Sequence, residues 1–319
     1  MLDLTLWASL FGGLLVLALA GDFLVSGALV VAKRLNWSPL LAGILIVGFG
    51  TSAPEVFVSL TAALDGSPGL AFGNLIGSNI ANILLVLAVP AVLIPLSTDF
   101  YGIRRSYLVL LAVTFVFIVL TLFGTLDARV GYAFFLALIG YVLTSLRSQT
   151  APEPHLYVSQ SAAPPHSVFT ILIKLTLGLL GLPLGAYLVV EGGVGIARAF
   201  EVSEYYIGLT LLAIGTSLPE LSAALAAAFR KQAGVLVGNV IGSNLLNLLG
   251  AGGVLAFFGP LYVPQGFLLF DYYVLGLATL LLGDSVLRKV RISRLAGAGM
   301  LLIYALYLLG LIKPWNFSA

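Results

Sequence analysis

Two glutamates stand where an apolar chain has least reason to put them. Glu55 ends the hexapeptide GTSAPE at 50–55, and Glu220 ends GTSLPE at 215–220, each in the middle of a long hydrophobic stretch. A charge at the centre of a spanning helix costs at least about 2.5–3.5 kcal/mol, so it needs a partner or a purpose. No Lys or Arg lies at matching depth in the sequence. Two unneutralised carboxylates therefore ask for a bound cation or for protons. The proline before each glutamate has no N–H to donate, which frees carbonyls one turn earlier, near Thr51 and Thr216. Such carbonyls become oxygen ligands where a broken helix lines a hydrated cavity.

A second motif follows each glutamate: GNLIGSNIAN at 73–82 and GNVIGSNLLN at 238–247. Asn74, Ser78 and Asn82 are spaced by four, as are Asn239, Ser243 and Asn247, so each set makes a polar stripe on one helical face. Gly73 with Gly77, and Gly238 with Gly242, form GxxxG pairs that let a neighbouring backbone approach closely. Taken singly, such a motif serves helix packing, and a single buried Glu can be a neutral structural acid. Together, carboxylates, amide oxygens, hydroxyls and freed carbonyls are hard oxygen donors. They suit Ca²⁺, which takes six to eight oxygens at about 2.3–2.6 Å, and also Na⁺. Zinc and copper prefer Cys or His; the chain has no cysteine, and its two histidines, His155 and His166, lie outside the apolar stretches.

Both motifs belong to one duplicated unit. Residues 43–82 align with 208–247 at a constant offset of 165 without a gap, and 17 of the 40 positions are identical. Shared membrane composition matches Leu with Leu, but it does not place GTSxPE and GNxIGSNxxN twice in register.

The elements that must carry these residues are membrane helices. Hydrophobic residues make up 60% of the 319, charged residues 9%, and the mean hydropathy is +1.11. A soluble domain carries about a quarter charged residues. Crossing a bilayer core takes about 20 apolar helical residues. The expected spans are 5–32, 40–64, 70–95, 106–123, 128–146, 168–198, 205–228, 233–257, 268–285 and 294–312. This gives an all-α membrane protein of ten transmembrane helices. A β-barrel would show short alternating segments instead. The least apolar stretch, 147–167, reads as a cytoplasmic linker between a first five-helix repeat, 1–146, and a second, 168–319. Because each repeat has an odd number of spans, the second is inverted relative to the first, an arrangement that places a transport site at the midplane between repeats.

Orientation follows from the basic residues. Lys33, Arg34, Arg104, Arg105, Arg147, Lys174, Arg230, Lys231, Arg288, Lys289, Arg291 and Arg294 fall on one side, and only Arg129, Arg198 and Lys313 on the other. Both termini are then expected outside. The N-terminus lacks a basic region and a cleavage site, so its first apolar stretch reads as a retained span.

The paired motifs resemble those of the cation/calcium exchanger superfamily, in its sodium/calcium exchanger branch, and the ten-span inverted layout covers essentially the whole chain. The resemblance implies a secondary antiporter that exchanges Ca²⁺ for Na⁺, three sodium per calcium, by alternating access. It assigns Glu55 and Glu220 as carboxylates shared by both ions and the carbonyls of Thr51 and Thr216 as further ligands. Ser52, Ser78, Ser217 and Ser243 become mainly sodium-side donors. Spans 1 and 6 become a sliding gate. Asn82 and Asn247 are the one departure: prokaryotic relatives often carry an acid at one of these two positions, whereas here the site has two formal negatives. The alternative is exchange of Ca²⁺, or of a broader divalent set including Mn²⁺, for H⁺; the second motif of the proton-coupled branch contains an acid that is absent here.

An oxygen-lined channel is the rival outside antiport. A channel usually assembles around a central filter, whereas this chain carries a complete pseudo-symmetric site, so a monomer in the lipid bilayer is expected to suffice. No enzyme motif such as HExxH, no catalytic role, no cofactor and no nucleic-acid partner is expected. Short loops point to a prokaryotic inner membrane. Asp22 and Glu191 lie within spans 1 and 6, read either as gate residues or as groups facing interhelical water or the outer margin. Asp65, Asp99, Asp127 and Asp271 read as interfacial residues at span ends, and the linker histidines as solvated.

Overall fold

The computed structural model describes residues 4–123, 125–148, 167–201, 213–257, 261–262 and 265–312. Its helices are α1 (Leu4–Leu35), α2 (Pro39–Leu64), α3 (Pro68–Leu93), α4 (Ile103–Phe123), α5 (Ala128–Ser148), α6 (Val168–Ala199), α7 (Leu218–Phe229), α8 (Ala233–Phe257), α9 (Gln265–Arg288) and α10 (Arg294–Ile312). Among the described residues nine of these are long and apolar enough to cross a membrane. The exception is α7, preceded by one turn at Ala213–Gly215; the part of its expected span before residue 213 lies outside the described residues. Residues 149–166, with His155 and His166, also lie outside them.

The two 32-residue helices, α1 and α6, pair along their full length. At 1.5 Å per residue each runs about 48 Å, well beyond a bilayer core of about 30 Å. Their direction is antiparallel. A Cβ at Gly192 would stand 2.6 Å from Leu10 N, one at Gly185 2.9 Å from Leu17 N, and one at Gly178 2.8 Å from Leu24 N. As the residue number rises in one helix it falls in the other. By contrast, α2 and α8 run parallel: Gly43 abuts Val235, and Gly48 abuts Gly242 and Ser243. Spans 1 and 6 antiparallel, with spans 2 and 8 parallel, is what an inverted pair of five-helix repeats requires.

The loops repeat the inversion. Strands β1 (Thr125–Leu126) and β2 (Leu261–Tyr262) pair antiparallel, tying the α4–α5 loop to the α8–α9 loop. An isolated bridge joins Leu96 to Ile292, tying the α3–α4 loop to the α9–α10 loop. With the repeat offset applied, each connection is the copy of the other to within one residue. Lys289 reinforces the second with an ion pair to Asp99 at 3.1 Å. Neither loop connection was visible in the sequence.

The innermost helices are α3 and α8, with 78% and 83% of their spanning windows buried, against 22% for α5, α6 and α10. The two polar stripes therefore sit at the protein centre and not at its lipid face. Two acids have partners on other helices. Asp271, in the second turn of α9, is buried and accepts a hydrogen bond from Tyr307 of α10 at 2.7 Å. Asp22 is held by the Arg230 guanidinium at the end of α7 through two bonds, 2.6 and 2.7 Å, with half of its side chain exposed. Asp127 does sit at a helix end, where it caps the start of α5 by accepting from Arg129 N and Val130 N. Glu191 is exposed on α6.

The α1–α6 seam makes a prediction. A side chain at Gly178 would meet the Leu24 backbone at 2.8 Å, whereas one at Gly12, in α1, meets nothing within 4 Å. Overpacking costs typically 1–3 kcal/mol. Gly178→Val should lower the unfolding temperature of the detergent-solubilised protein by several degrees, and Gly12→Ala should leave it unchanged or raise it. Equal melting of both variants would mean that the seam is not this tight.

Candidate cation site

The site begins with two broken helices. In α2 a π-helical stretch, Gly43–Gly48, precedes the motif, and Ser52 leaves helical geometry at φ −89°, ψ 2°. Ser217 does the same in the second copy at φ −91°, ψ 2°. Around the break Ser52 N bonds Gly48 O at 3.2 Å, and the next ladder bond runs from Val56 N to Ser52 O at 3.3 Å. The carbonyls of Phe49, Gly50 and Thr51 fall in the gap between them. In the second copy Ser217 N bonds Ile214 O and Leu221 N bonds Ser217 O, so the Gly215 and Thr216 carbonyls lie in the matching gap. The prolines open the second helix segment at positions where a missing N–H costs nothing.

Directly after each break, Glu55 and Glu220 are buried to 1% exposure. Both Glu55 carboxylate oxygens, and Oε2 of Glu220, lack a side-chain or backbone partner of good geometry. The other Glu220 oxygen accepts from Ser52 Oγ across the repeat interface at 3.0 Å. No ion pair to either is present among the described residues.

Each glutamate is clamped from the neighbouring helix. Asn74 Nδ2 donates to Glu55 O at 3.1 Å and to Ser59 Oγ at 2.9 Å. Asn239 Nδ2 donates to Glu220 O at 3.3 Å. The first residue of each stripe thus fixes the backbone that carries the carboxylate and does not itself aim at the site.

Deeper along the stripes α3 and α8 cross, and the contacts between repeats multiply. Asn247 Nδ2 donates to Ser78 Oγ at 3.0 Å, Asn82 Nδ2 to Asn244 Oδ1 at 3.0 Å, and Asn244 Nδ2 to Asn79 O at 3.4 Å. Ser243 Oγ donates to Gly48 O at 3.1 Å, and Thr51 Oγ1 lies 3.4 Å from Asn239 Oδ1. Both helices turn π-helical here, at Asn82–Val86 and Leu246–Ala251, with Leu87 N reaching back to Asn82 O and Gly252 N to Asn247 O. Single π turns inside α-helices mark functional sites.

Of the ten residues singled out from the sequence, Thr51, Ser52, Glu55, Ser78, Asn82, Ser217, Glu220, Ser243 and Asn247 are all buried at 4% exposure or less. Thr216 is half-buried. Thr51, Ser52, Ser78, Asn82, Glu220, Ser243 and Asn247 each take part in a hydrogen bond between the repeats; Ser217 Oγ is buried without a partner. Sequence reasoning passed over Asn79 and Asn244. Both lie in the GSN triplet shared by the two copies, and Asn79 and Asn244 stand three residues before Asn82 and Asn247, on the same helical face; counting only by fours missed them.

What collects here is oxygen. Glu55 Oε1 and Oε2, Glu220 Oε2, Asn79 Oδ1, Asn82 Oδ1, Asn247 Oδ1 and Ser217 Oγ are all buried and unpartnered. Buried polar atoms are normally satisfied, so such a concentration calls for an explanation. Six of these seven are pure acceptors, open to a cation or to a hydrogen-bond donor such as water.

Known proteins share this architecture. The family described as "Sodium/calcium exchanger protein" matches residues 5–147 and 170–313. A relative from Alkalimonas amylolytica named CaxA is 37% identical over 302 residues, covering 92% of this chain and 95% of its own. The sodium/calcium exchanger MaX1 of Methanosarcina acetivorans is 28% identical, covering 93% and 95%. A solved structure of the sodium-calcium exchanger NCX_Mj, soaked with zero Na⁺ and Ca²⁺, superposes with a TM-score of 0.84 at 32% identity, over 98% of this chain and 100% of the other. With its matched halves, its inverted helices and its central acidic pair, this chain belongs to the sodium/calcium exchanger protein family.

Proposed function

We propose that this cation antiporter exchanges Ca²⁺ for Na⁺, and that both compete for the oxygens around Glu55 and Glu220. The observation that carries the reading is the pair of buried carboxylates with three unpartnered oxygens and, among the described residues, no ion pair to a basic side chain. One Ca²⁺ neutralises two carboxylates; Na⁺ ions do so only in number. The further ligands are the Thr51 and Thr216 carbonyls, the amide oxygens of Asn82 and Asn247, and the hydroxyls of Ser52, Ser78, Ser217 and Ser243. A hydroxyl that gives its proton to a carboxylate, as Ser52 does to Glu220, still has lone pairs for a cation. The site needs no second chain, so a monomer works alone.

The chain is placed in a prokaryotic inner membrane with both termini outside and residues 147–167 as the cytoplasmic linker between repeats 1–146 and 168–319. Twelve of the fifteen basic residues then face the cytoplasm. The long glycine-lined pair α1 and α6 is the element that moves to expose the site on either side.

Two experiments test this. In proteoliposomes, Glu55→Gln and Glu220→Gln should each reduce Na⁺-driven Ca²⁺ flux at least a hundredfold in folded protein, since each removes a shared charged ligand. Ser52→Ala removes one donor to Glu220 and should cost about tenfold or less. Near-normal flux in either glutamine variant would sink the assignment of that residue.

Coupling is read separately. Three Na⁺ for one Ca²⁺ moves one net charge per cycle, so an imposed membrane potential should change the initial rate. Flux that ignores both Na⁺ and voltage and follows the pH gradient instead would transfer the reading to proton coupling.

A further inference from the structure

A carboxamide has an oxygen end that attracts a cation and an NH₂ end that repels it. A ligand asparagine therefore works only if something holds it oxygen-inward. Around the α3–α8 crossing that something can be traced atom by atom. Asn247 spends Nδ2 on Ser78 Oγ, Asn79 spends Nδ2 on Leu75 O at 2.6 Å, and Asn82 spends Nδ2 on Asn244 Oδ1. In all three the oxygen is left buried and unpartnered.

Asn244 is different, because both of its ends are engaged: Nδ2 donates to Asn79 O, and Oδ1 accepts from Asn82. The Asn79 carbonyl can only accept, so it selects the NH₂ end of Asn244. The Asn244 oxygen must then face Asn82, and it selects the NH₂ end of Asn82 in turn. Orientation is passed from a main-chain carbonyl through one amide to the next, and it ends with Asn82 Oδ1 turned free. Asn244 and Asn82 are both buried at 1% exposure.

We propose that Asn244 is a positioning residue that fixes the amide of Asn82 oxygen-inward for the transported cation, and so sets the affinity of a site it does not itself ligate. This rests on the exchange reading above. Without Asn244, Asn82 can turn its NH₂ toward the ions, and a ligand becomes a repulsive group.

The test exploits the fact that a carboxylate has two equal ends. Asn82→Asp makes orientation irrelevant, because either oxygen can ligate. Ca²⁺ affinity of the purified protein in detergent is measured by isothermal titration for the parent, Asn244→Leu, Asn82→Asp and the double variant. Asn244→Leu should weaken Ca²⁺ binding at least tenfold in the parent and less than twofold in the Asn82→Asp background. A merely structural role for Asn244 would weaken both alike. The proposal requires the second ratio to be at least fivefold smaller than the first, and a smaller difference overturns it. If Asn244→Leu does not fold, the same cycle with Asn244→Ala gives the same two ratios. A parent chain that takes up no Ca²⁺ would overturn the exchange reading itself, whereas binding with an unrescued loss overturns only the argument about amide orientation.

Discussion

Two carboxyl groups held out of water, with no positive side chain paired to them among the described residues, set the terms for everything around them. Burying an ion costs several kcal/mol even after the protein relaxes, and both Glu55 and Glu220 are buried. The surrounding features answer that cost. Helix breaks at Ser52 and Ser217 expose carbonyls, Asn74 and Asn239 pin the backbone behind each carboxylate, and amide oxygens are left unpaired nearby. Every one of these supplies negative potential or rigidity; none supplies a positive charge. On the proposed reading the neutralising role falls to the cargo. A departing ion would then uncover both carboxylates, so one cation would be lost most easily when another replaces it.

The same constraint explains what could be read from the sequence. A glutamate after Gly-Thr-Ser-x-Pro inside an apolar run is conspicuous because the surroundings contain nothing else that is charged, and its reappearance 165 residues later gave the inverted architecture by counting spans. Apart from the start of the 205–228 span, which lies outside the described residues, the helix ends follow from hydropathy to within a few residues. What stayed hidden depends on long-range pairing. Nothing local to Leu96 or Ile292 marks them as bridge partners. Nothing in the neighbourhood of Asp22 names Arg230, and nothing beside Asp271 names Tyr307 of another helix. Asn79 and Asn244 were overlooked for a different reason: one period, i to i+4, was applied to a helix face that is equally served by i+3.

The repeats are alike in fold and unlike in bonding. Ser52 reaches Glu220 across the interface, but Ser217, its copy, is buried with its hydroxyl unpaired, and Glu55 keeps both oxygens open. Asn247 hands its amide hydrogen to a serine while Asn82 hands its own to an asparagine. Two copies of one motif, facing opposite directions, thus present different hydrogen-bond partners from each side. A pseudo-twofold scaffold can therefore hold an asymmetric set of subsites without any difference in its main-chain plan.

Arg230 and Asp22 fasten the long helix α1 to the end of α7, and their side chains remain 38% and 50% exposed. Pairs at that exposure are worth about 0.2–1 kcal/mol, a bias of roughly fivefold at most between joined and separated arrangements. Displacement of α1 by a single turn would part them. The fastening is firm enough to register the helix and feeble enough to surrender it at thermal energies, behaving as a detent and not as a lock. Ionic strength then becomes a control on resting posture: with a Debye length of about 10 Å at 0.1 M salt and about 3 Å at 1 M, brine would release the catch without touching the buried carboxyl groups.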